Sequence, residues 1–513
     1  MPRANTTHRL DELDELKIKF TADTARRVAR TLDQLSRTDF DNTDSLFRFH
    51  EILLFLRAYP QNASILRATE KELRRFPERV EHLREQEIDL SPIEHPDVSG
   101  IAGTSVTDTF SFLIVRWLLQ RHASELDIEW DWFEDENRLA QVWPRFLPLL
   151  EEDAFVEANV PYREWLRAAR KDRSEIAWLI EKIDELPRPE SERAELYDSQ
   201  QLYVRWTPCF AATRTGMRLR KSGIFYHRAP LIPRRDVDLV KELAQPSPPL
   251  QKLSPGEGEK VLDMAREAST IRYRELYGFT HGDPKHVYHT EPGRGVELFL
   301  FGVPADKRLP LRAYHAMTIY KNGVPIGYFE GLSLFERMES GFNLYYTFRD
   351  GETAWLYARI LNVLHYFTGV TAFALDPYQI GYENEEGIAS GAFWFYRKLG
   401  FRPTQKDALR LTLKEEEKLA TRQRYRTPAA TLRKLAKSPM ILELDQERSG
   451  DWDQFHVRNI GFKAQRAPVL SFLPKQIRQA KKAAEEVTYL RLMQKHPQLR
   501  KAIIKLGSTD LRE

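Results

Sequence analysis

Along residues 1–195, apolar positions recur every three or four residues, the period of an amphipathic helix. In "SLFRFHEILLFLRAYP", Leu46, Phe49, Leu53 and Leu56 fall on one face and Pro60 ends the run. "TDTFSFLIVRWLLQRH" and "EIAWLIEKIDEL" have the same character. No fixed period of about 30 to 45 residues recurs, which argues against a helical-repeat array. Residues 196–255 form a mixed connecting segment. "QLYVRWTPC" and "GIFYHRAPL" read as short strands, "RDVDLVKEL" as a helix, and "QPSPPLQKLSPGEGEK" as a proline-rich linker. At the end of the linker, Ser254 and Glu257 match a capping box with Pro255 at the first helical position, which predicts a helix from Pro255 onward.

From 256 to 413 the period alternates between strand and helix. "ELFLFGV" is strand-like, and "RAYHAMTIYKNGVPIGYFEGLSL" predicts a hairpin with Asn322-Gly323 in a type I′ turn. Phe342 to Phe348 predicts a further strand, "ETAWLYARILNVLHYF" a helix, and Val370 to Asp376 a buried strand. "GAFWFYRKLGFRP" then supplies a second helix, and Ala408 to Leu413 a closing strand. The expected architecture is an α/β mixed-sheet domain at 256–413, antiparallel early and with a helical crossover later. A mainly α-helical region (1–195) precedes it, and a basic, mainly helical region (414–513) follows.

Composition changes little in this picture. A chain of 513 residues is too long for one ordinary core. With 42% hydrophobic and 30% charged residues it reads as a soluble globular protein rather than a disordered one. The net charge of +3 excludes a polyanion-binding character for the molecule as a whole. The basic charge is local: Lys418 to Lys437 holds seven Lys or Arg and no acid, and Phe462 to Ala484 holds six and no acid. That tail offers either nucleic-acid contact through phosphate neutralisation or a basic face that docks on the helical region. A single cysteine, Cys209, excludes an internal disulfide, and its apolar surroundings argue against a catalytic thiol. The N-terminus has no hydrophobic signal core, and Phe110 to Leu119 carries Arg116 and is too short to span a bilayer. A cytoplasmic location without membrane contact is the expectation.

The order of elements and two local motifs resemble the GNAT superfamily of acyl-CoA N-acyltransferases over roughly residues 260–413. "FYRKLGF" fits the family's F-Y-x-K-x-G-F signature, and Gly400 follows Arg397 and Lys398 as a helix terminator would. The resemblance implies that the helix carrying this signature lies beside the acyl-CoA pantetheine. It also implies that Tyr396 protonates the departing thiolate, and that acetyl-CoA or another acyl-CoA is the donor with no metal required. Family members bind the CoA pyrophosphate on amides at a helix N-terminus, in a loop reading R/Q-x-x-G-x-G/A. The corresponding stretch is Arg349, Asp350, Gly351, Glu352, Thr353 and Ala354, with Glu352 in place of the central glycine. A carboxylate aimed at pyrophosphate costs about 1 kcal/mol in water and about 4 nearer a protein surface. Either Glu352 turns away, or CoA binding is lost.

By their places on the central strands and after Val370 to Asp376, Glu330 and Glu383 are the candidates for the general base. Asp376 and Tyr378 stand just past a strand end, where α/β folds hold ligands. His281, His286 and His289 lack a carboxylate or cysteine at familiar ligand spacing, and the acidic run Glu129 to Glu136 lacks calcium-loop spacing, so no metal is expected. The acceptor is an unidentified amine. The large flanking regions point to a macromolecular acceptor or a fused regulatory part. The alternative is a GNAT-like scaffold that binds without catalysing, with nucleic-acid contact through the basic tail.

Overall fold

In the computed structural model the described residues are 2–96, 98–146, 157, 159–221, 223–309, 311–466, 475–483 and 485–508. The chain is a mixed α/β protein built on one large mixed sheet. Among the described residues no helix is long and apolar enough to cross a membrane.

The N-terminal region is helical as expected; Thr43–Ala58 (α1) is capped by Asn42, whose side chain accepts from Ser45 N. It is not purely helical, because Val106–Asp108 and Leu126–Ile128 form strands. Both pair with Val204–Trp206, which is the central strand of a small antiparallel sheet. The division at 195 therefore cuts through a sheet: "QLYVRWTPC" belongs with the elements before it. "GIFYHRAPL" contains no strand, whereas Leu239–Ala244 is the helix expected from "RDVDLVKEL".

The large sheet contains Gln251–Lys252 (β1), Val287–Gly293 (β2), Val296–Phe301 (β3), Ala313–Lys321 (β4) and Val324–Leu334 (β5). It continues with Arg337–Leu344 (β6), Ala372–Leu375 (β7), Arg402–Pro403 (β8) and Met440–Glu443 (β9). Their spatial order is β8-β9-β7-β6-β5-β4-β3-β2-β1. Every neighbouring pair is antiparallel except β6 with β7. The predicted hairpin is β4-β5: Lys321 faces Val324, and Asn322 and Gly323 have φ of 51° and 79°, as a type I′ turn requires. The capping box also forms. Ser254 Oγ accepts from Glu257 N at 3.4 Å, and Glu257 Oε2 accepts from Ser254 N at 3.1 Å, at the head of Pro255–Thr270 (α2).

Two strand expectations fail. The third predicted strand is displaced: β6 ends at Leu344, and Tyr346–Phe348 is a short helical turn. Ala408 to Leu413 lies inside a helix, Lys406–Thr421, which buries Ala408, Thr412 and Glu415 at spacings of four and three residues and exposes Leu413. The alternation of "ALRLTL" is therefore incidental, and the run of helix formers that follows decides the outcome. The closing strand is β9, so the sheet extends past 413 into the region expected to be a helical tail.

One sheet face is covered by the helix Thr353–Thr368 (α3) together with N-terminal helices, in a core that includes Phe49, Phe55, Phe329, Tyr357 and Phe373. On the other face α2 packs over β3 to β5, with Leu262, Phe301, Tyr314 and Ala316 in contact. The C-terminal helices cover β7 and β9, with Ala372, Ala374 and Ile441 against Trp452, Phe455 and Tyr489. Glu486, at the start of the helix Glu486–Gln494, ties this C-terminal layer to the other half of the sheet. Its carboxylate accepts from Tyr314 N at 3.0 Å and from Val303 N at 3.5 Å, where β3 and β4 diverge.

Burial pushes the Glu486 carboxyl up to about 7, only partly offset by the Tyr314 amide. The folded state holds its proton where the unfolded chain has lost it, so stability falls as pH rises from about 4.5 to about 7. The loss amounts to at most about 3 kcal/mol. Glu486→Gln is expected to gain stability relative to the native chain between pH 5 and pH 8, as read from urea unfolding at the two values. A difference that does not change with pH would contradict this.

Candidate functional site

The sheet opens between β6 and β7. These parallel strands are in register only from Arg337 to Glu339 against Ala372 to Ala374. β6 continues to Leu344, while the chain after Leu375 leaves as the short helical turn Pro377–Ile380. Gln379 spans the gap, and its Nε2 donates to Phe342 O at 3.0 Å and reaches the Tyr396 hydroxyl at 3.4 Å. A cavity of about 440 Å³ opens there, within the range of about 300–1,000 Å³ common for small-molecule sites. Phe342, Gln379 and Tyr396 stand at its inner end, and Thr353 and Ala354 line it at the N-terminus of α3.

The aromatic stretch divides in two. Glu385–Ser390 (α4) stops at Gly391, whose φ of 70° is left-handed, and Ala392–Arg397 (α5) starts from the same residue. On α5, Phe393 and Tyr396 are buried one turn apart, Phe395 lines the cavity, and Trp394 Nε1 donates to Thr427 Oγ1 at 3.1 Å. Arg397, at the signature's variable position, makes a two-point ion pair with Glu416 at 2.8 and 3.2 Å and is structural. Tyr396 is 3% exposed, and burial holds its hydroxyl above the ordinary tyrosine range. It is therefore a phenol that keeps its proton at neutral pH.

Glu352 turns away from the cavity. It is 2% exposed and enters a buried ion-pair cluster behind the helix start. Arg294 Nε donates to its Oε2 at 2.9 Å and Arg294 Nη2 donates to Oε1. Ile232 N donates to Oε1 at 3.1 Å, and Lys321 Nζ lies 3.5 Å from Oε2. Burial pulls the Lys321 ammonium below its usual range, and the Glu352 carboxylate opposes that shift. With Glu352 withdrawn, the first-turn amides of α3, which have no intrahelical acceptor, stand beside the cavity with Thr353 and Ala354.

The loop before the helix is held by the N-terminal region. Glu51 on α1 pairs with Arg214 at 2.7 Å and accepts from Thr347, and Arg214 donates to the Tyr346 hydroxyl at 3.1 Å. Lys17 lies 3.2 Å from Asp350. Tyr59 accepts from the Glu352 amide and presses on Gly351, where an added Cβ would stand 2.3 Å from the Tyr59 hydroxyl oxygen. Gly351 is thus required by close approach rather than by its backbone angle.

Three arginines line the cavity: Arg234, Arg274 and Arg349. Arg349 pairs with Glu386 at 2.6 Å, and Arg274 donates to the Tyr328 hydroxyl at 2.9 Å. Burial lowers the Arg234 guanidinium below its usual range. An amide-bearing helix terminus beside several guanidiniums suits an anionic ligand.

Of the remaining expectations, neither base candidate lines the cavity. Glu330 faces α2's side of the sheet and accepts from the Tyr314 hydroxyl. Glu383 is exposed, with a left-handed φ of 52°, in the turn before α4. Glu386, three residues on, is the acid at the cavity. Asp376 caps the turn by accepting from Tyr378 N at 2.9 Å and pairs with Arg458, while Tyr378 lines the cavity and is 58% exposed. His281 packs at a tilt against Tyr277; His286 lies 3.0 Å from Asp283; His289 stacks on Phe299. Sequence reasoning missed Gln379, Asn343, Arg234 and Arg274. Only Gln379 carried a signal, by following the strand end already singled out.

No family model, curated protein or solved structure matches this chain.

Removing the charge of Glu352 leaves the buried Lys321 ammonium and the half-buried Arg294 without their counter-ion. Glu352→Gln is expected to cost roughly 3 kcal/mol in chemical unfolding. Gly351→Ala, which forces Tyr59 and the Phe348 carbonyl apart, is expected to cost about 1–3 kcal/mol by the same measurement. A fully stable Gly351→Ala variant would contradict the close approach.

Proposed function

We propose that the chain is an acyl-CoA-dependent N-acyltransferase acting on an amine acceptor. The observation that carries this reading is the coincidence, in one cavity, of a strand fork, a helix N-terminus and the buried hydroxyl of Tyr396. The pyrophosphate would lie on the amides at Thr353 and Ala354, with Arg349 and Arg234 supplying positive charge. The pantetheine arm would enter the fork between β6 and β7, where Phe342 and Leu344 offer apolar walls. Two objections lose force: Glu352 is withdrawn into its ion pairs, and the fork leaves Phe342 with a carbonyl free to meet Gln379 rather than a neighbouring strand.

In the transfer step the neutral amine attacks the thioester carbonyl and forms a C–N bond. The intermediate collapses with cleavage of the C–S bond, and the departing thiolate takes a proton from Tyr396. The amine's surplus proton goes to a base on the acceptor side. Glu330 is the carboxylate on the α2 face of the sheet, and because it does not line the cavity the proton would have to reach it through water. The products are an amide and free CoA. The scaffold alternative is favoured by one observation: Glu330 already serves as the acceptor of the Tyr314 hydrogen bond, and neither Glu330 nor Glu383 reaches the cavity.

Calorimetric titration with acetyl-CoA separates these readings. Saturable binding in the micromolar range is expected, and no heat at millimolar ligand would sink the transferase. Tyr396→Phe is expected to lower turnover of a screened amine by about 10²-fold or more with unchanged acetyl-CoA affinity. Equal turnover would remove Tyr396 as the acid. Binding without turnover across an amine panel would favour the scaffold.

A further inference from the structure

We propose that His122, Glu125 and Cys209 form a site for a divalent cation of the zinc class, away from the cavity. His122 ends the helix Phe112–His122, and Glu125 ends the short turn that follows it, three residues on. Cys209 comes from another part of the chain, just beyond the strand Val204–Trp206. One ligand atom from each of the three lies within 4.8 Å of the other two. Zinc bonds of about 2.0–2.3 Å to nitrogen, oxygen and sulfur place tetrahedral ligand atoms about 3.3–3.8 Å apart, which a small inward movement of these side chains achieves.

The surroundings are those of a metal site. His122 Nε2 lies 3.1 Å from Glu267 Oε1, which leaves Nδ1 turned toward Glu125 at 3.1 Å. A carboxylate on the far nitrogen orients a ligating imidazole and raises its basicity. Glu125 Oε2 is steadied by Trp206 Nε1 at 3.1 Å and by the Cys209 amide at 3.2 Å. Among the described residues neither Glu125 nor Glu267 has a lysine or arginine partner. The cluster therefore gathers two carboxylates and a thiol around one imidazole, and its charge is unbalanced toward the negative.

A divalent ion resolves this. Its binding releases the thiol proton and the proton shared between Nδ1 and Glu125, and forms bonds to sulfur, nitrogen and oxygen. Cys209 is exposed, so the fourth position faces solvent. The nitrogen, oxygen and sulfur donors select a borderline-soft ion over magnesium or calcium. The second grouping of potential ligands, His289, Glu291 and Glu297, differs in kind. There the Lys221 ammonium lies 3.3 Å from Glu291 and 3.2 Å from Glu297 and already supplies the positive charge. The proposed ion would join the helical region to the small sheet and, through Glu267, to α2.

The test uses the full chain, stripped with chelator and titrated with Co2+, then with Zn2+. One equivalent of Co2+ is expected, with a thiolate-to-cobalt charge-transfer band that Zn2+ displaces. Cys209→Ser is expected to abolish the band, and the exposure of Cys209 makes that variant safe for folding. Glu267→Gln is expected to weaken Zn2+ binding by about 10- to 100-fold while leaving the band in place. No bound Co2+ at millimolar concentration would overturn the proposal, as would a spectrum indifferent to Cys209→Ser. Failure here leaves acetyl-CoA binding untouched, so the two proposals fall separately.

Discussion

The site depends on where one carboxylate goes. Glu352 stands at the threshold of α3, where the unpaired amides of a helix start would draw it outward as a cap. It is instead drawn inward by Arg294, Lys321 and the Ile232 amide. Those partners come from the turn after β2, the end of β4 and the connecting segment. The helix start is therefore left free for an external anion only because three separated segments have already closed behind it. A buried ion pair contributes little net stability, since desolvation offsets much of the attraction. Its value here is positional, because it decides which way a charge points.

The same loop explains why the N-terminal helices are not a detachable platform. Glu51 and Tyr59 both belong to the neighbourhood of α1, and together they hold Thr347, Gly351 and the Glu352 amide. Asn322, at the tip of the hairpin turn, adds another tie by donating to Ala58 O at 2.8 Å. Any movement of the helical region relative to the sheet would be felt first at the loop that precedes α3. That gives the flanking region a direct mechanical route to the cavity, without any long chain of intermediaries.

What was legible in the sequence was local. The Asn322-Gly323 turn and the Ser254–Glu257 capping box are fixed by neighbouring residues, and both form as expected. The signature around Tyr396 was also readable, because its helix end at Gly400 and its buried ring depend on a short stretch. What depends on distant partners was not readable. Arg294 and Lys321 lie 58 and 31 residues before Glu352, and no spacing rule joins them. The failure at Ala408 to Leu413 has a different cause. Period-two alternation over six residues is too short to hold a strand against its surroundings, and the lysines and glutamates that follow tip the balance to helix, leaving Leu413 exposed. Arg234 and Arg274 were invisible for the first reason, since Arg234 sits in the connecting segment and Arg274 beyond the end of α2.

The position of β9 has a consequence for how the molecule comes into being. This strand slots between β7 and β8, although it is the last of the sheet to be made. While a ribosome is still producing residues 404–439, β7 has a bare edge where β9 will lie. Such an edge is a template for pairing with any other extended chain nearby. The intervening helix α6, Lys406–Thr421, rich in Lys and Glu, is then the first part of the chain available to shield it. The half-finished protein is thus most vulnerable in the interval before Met440 emerges, and fragments ending within that interval should be the sticky ones.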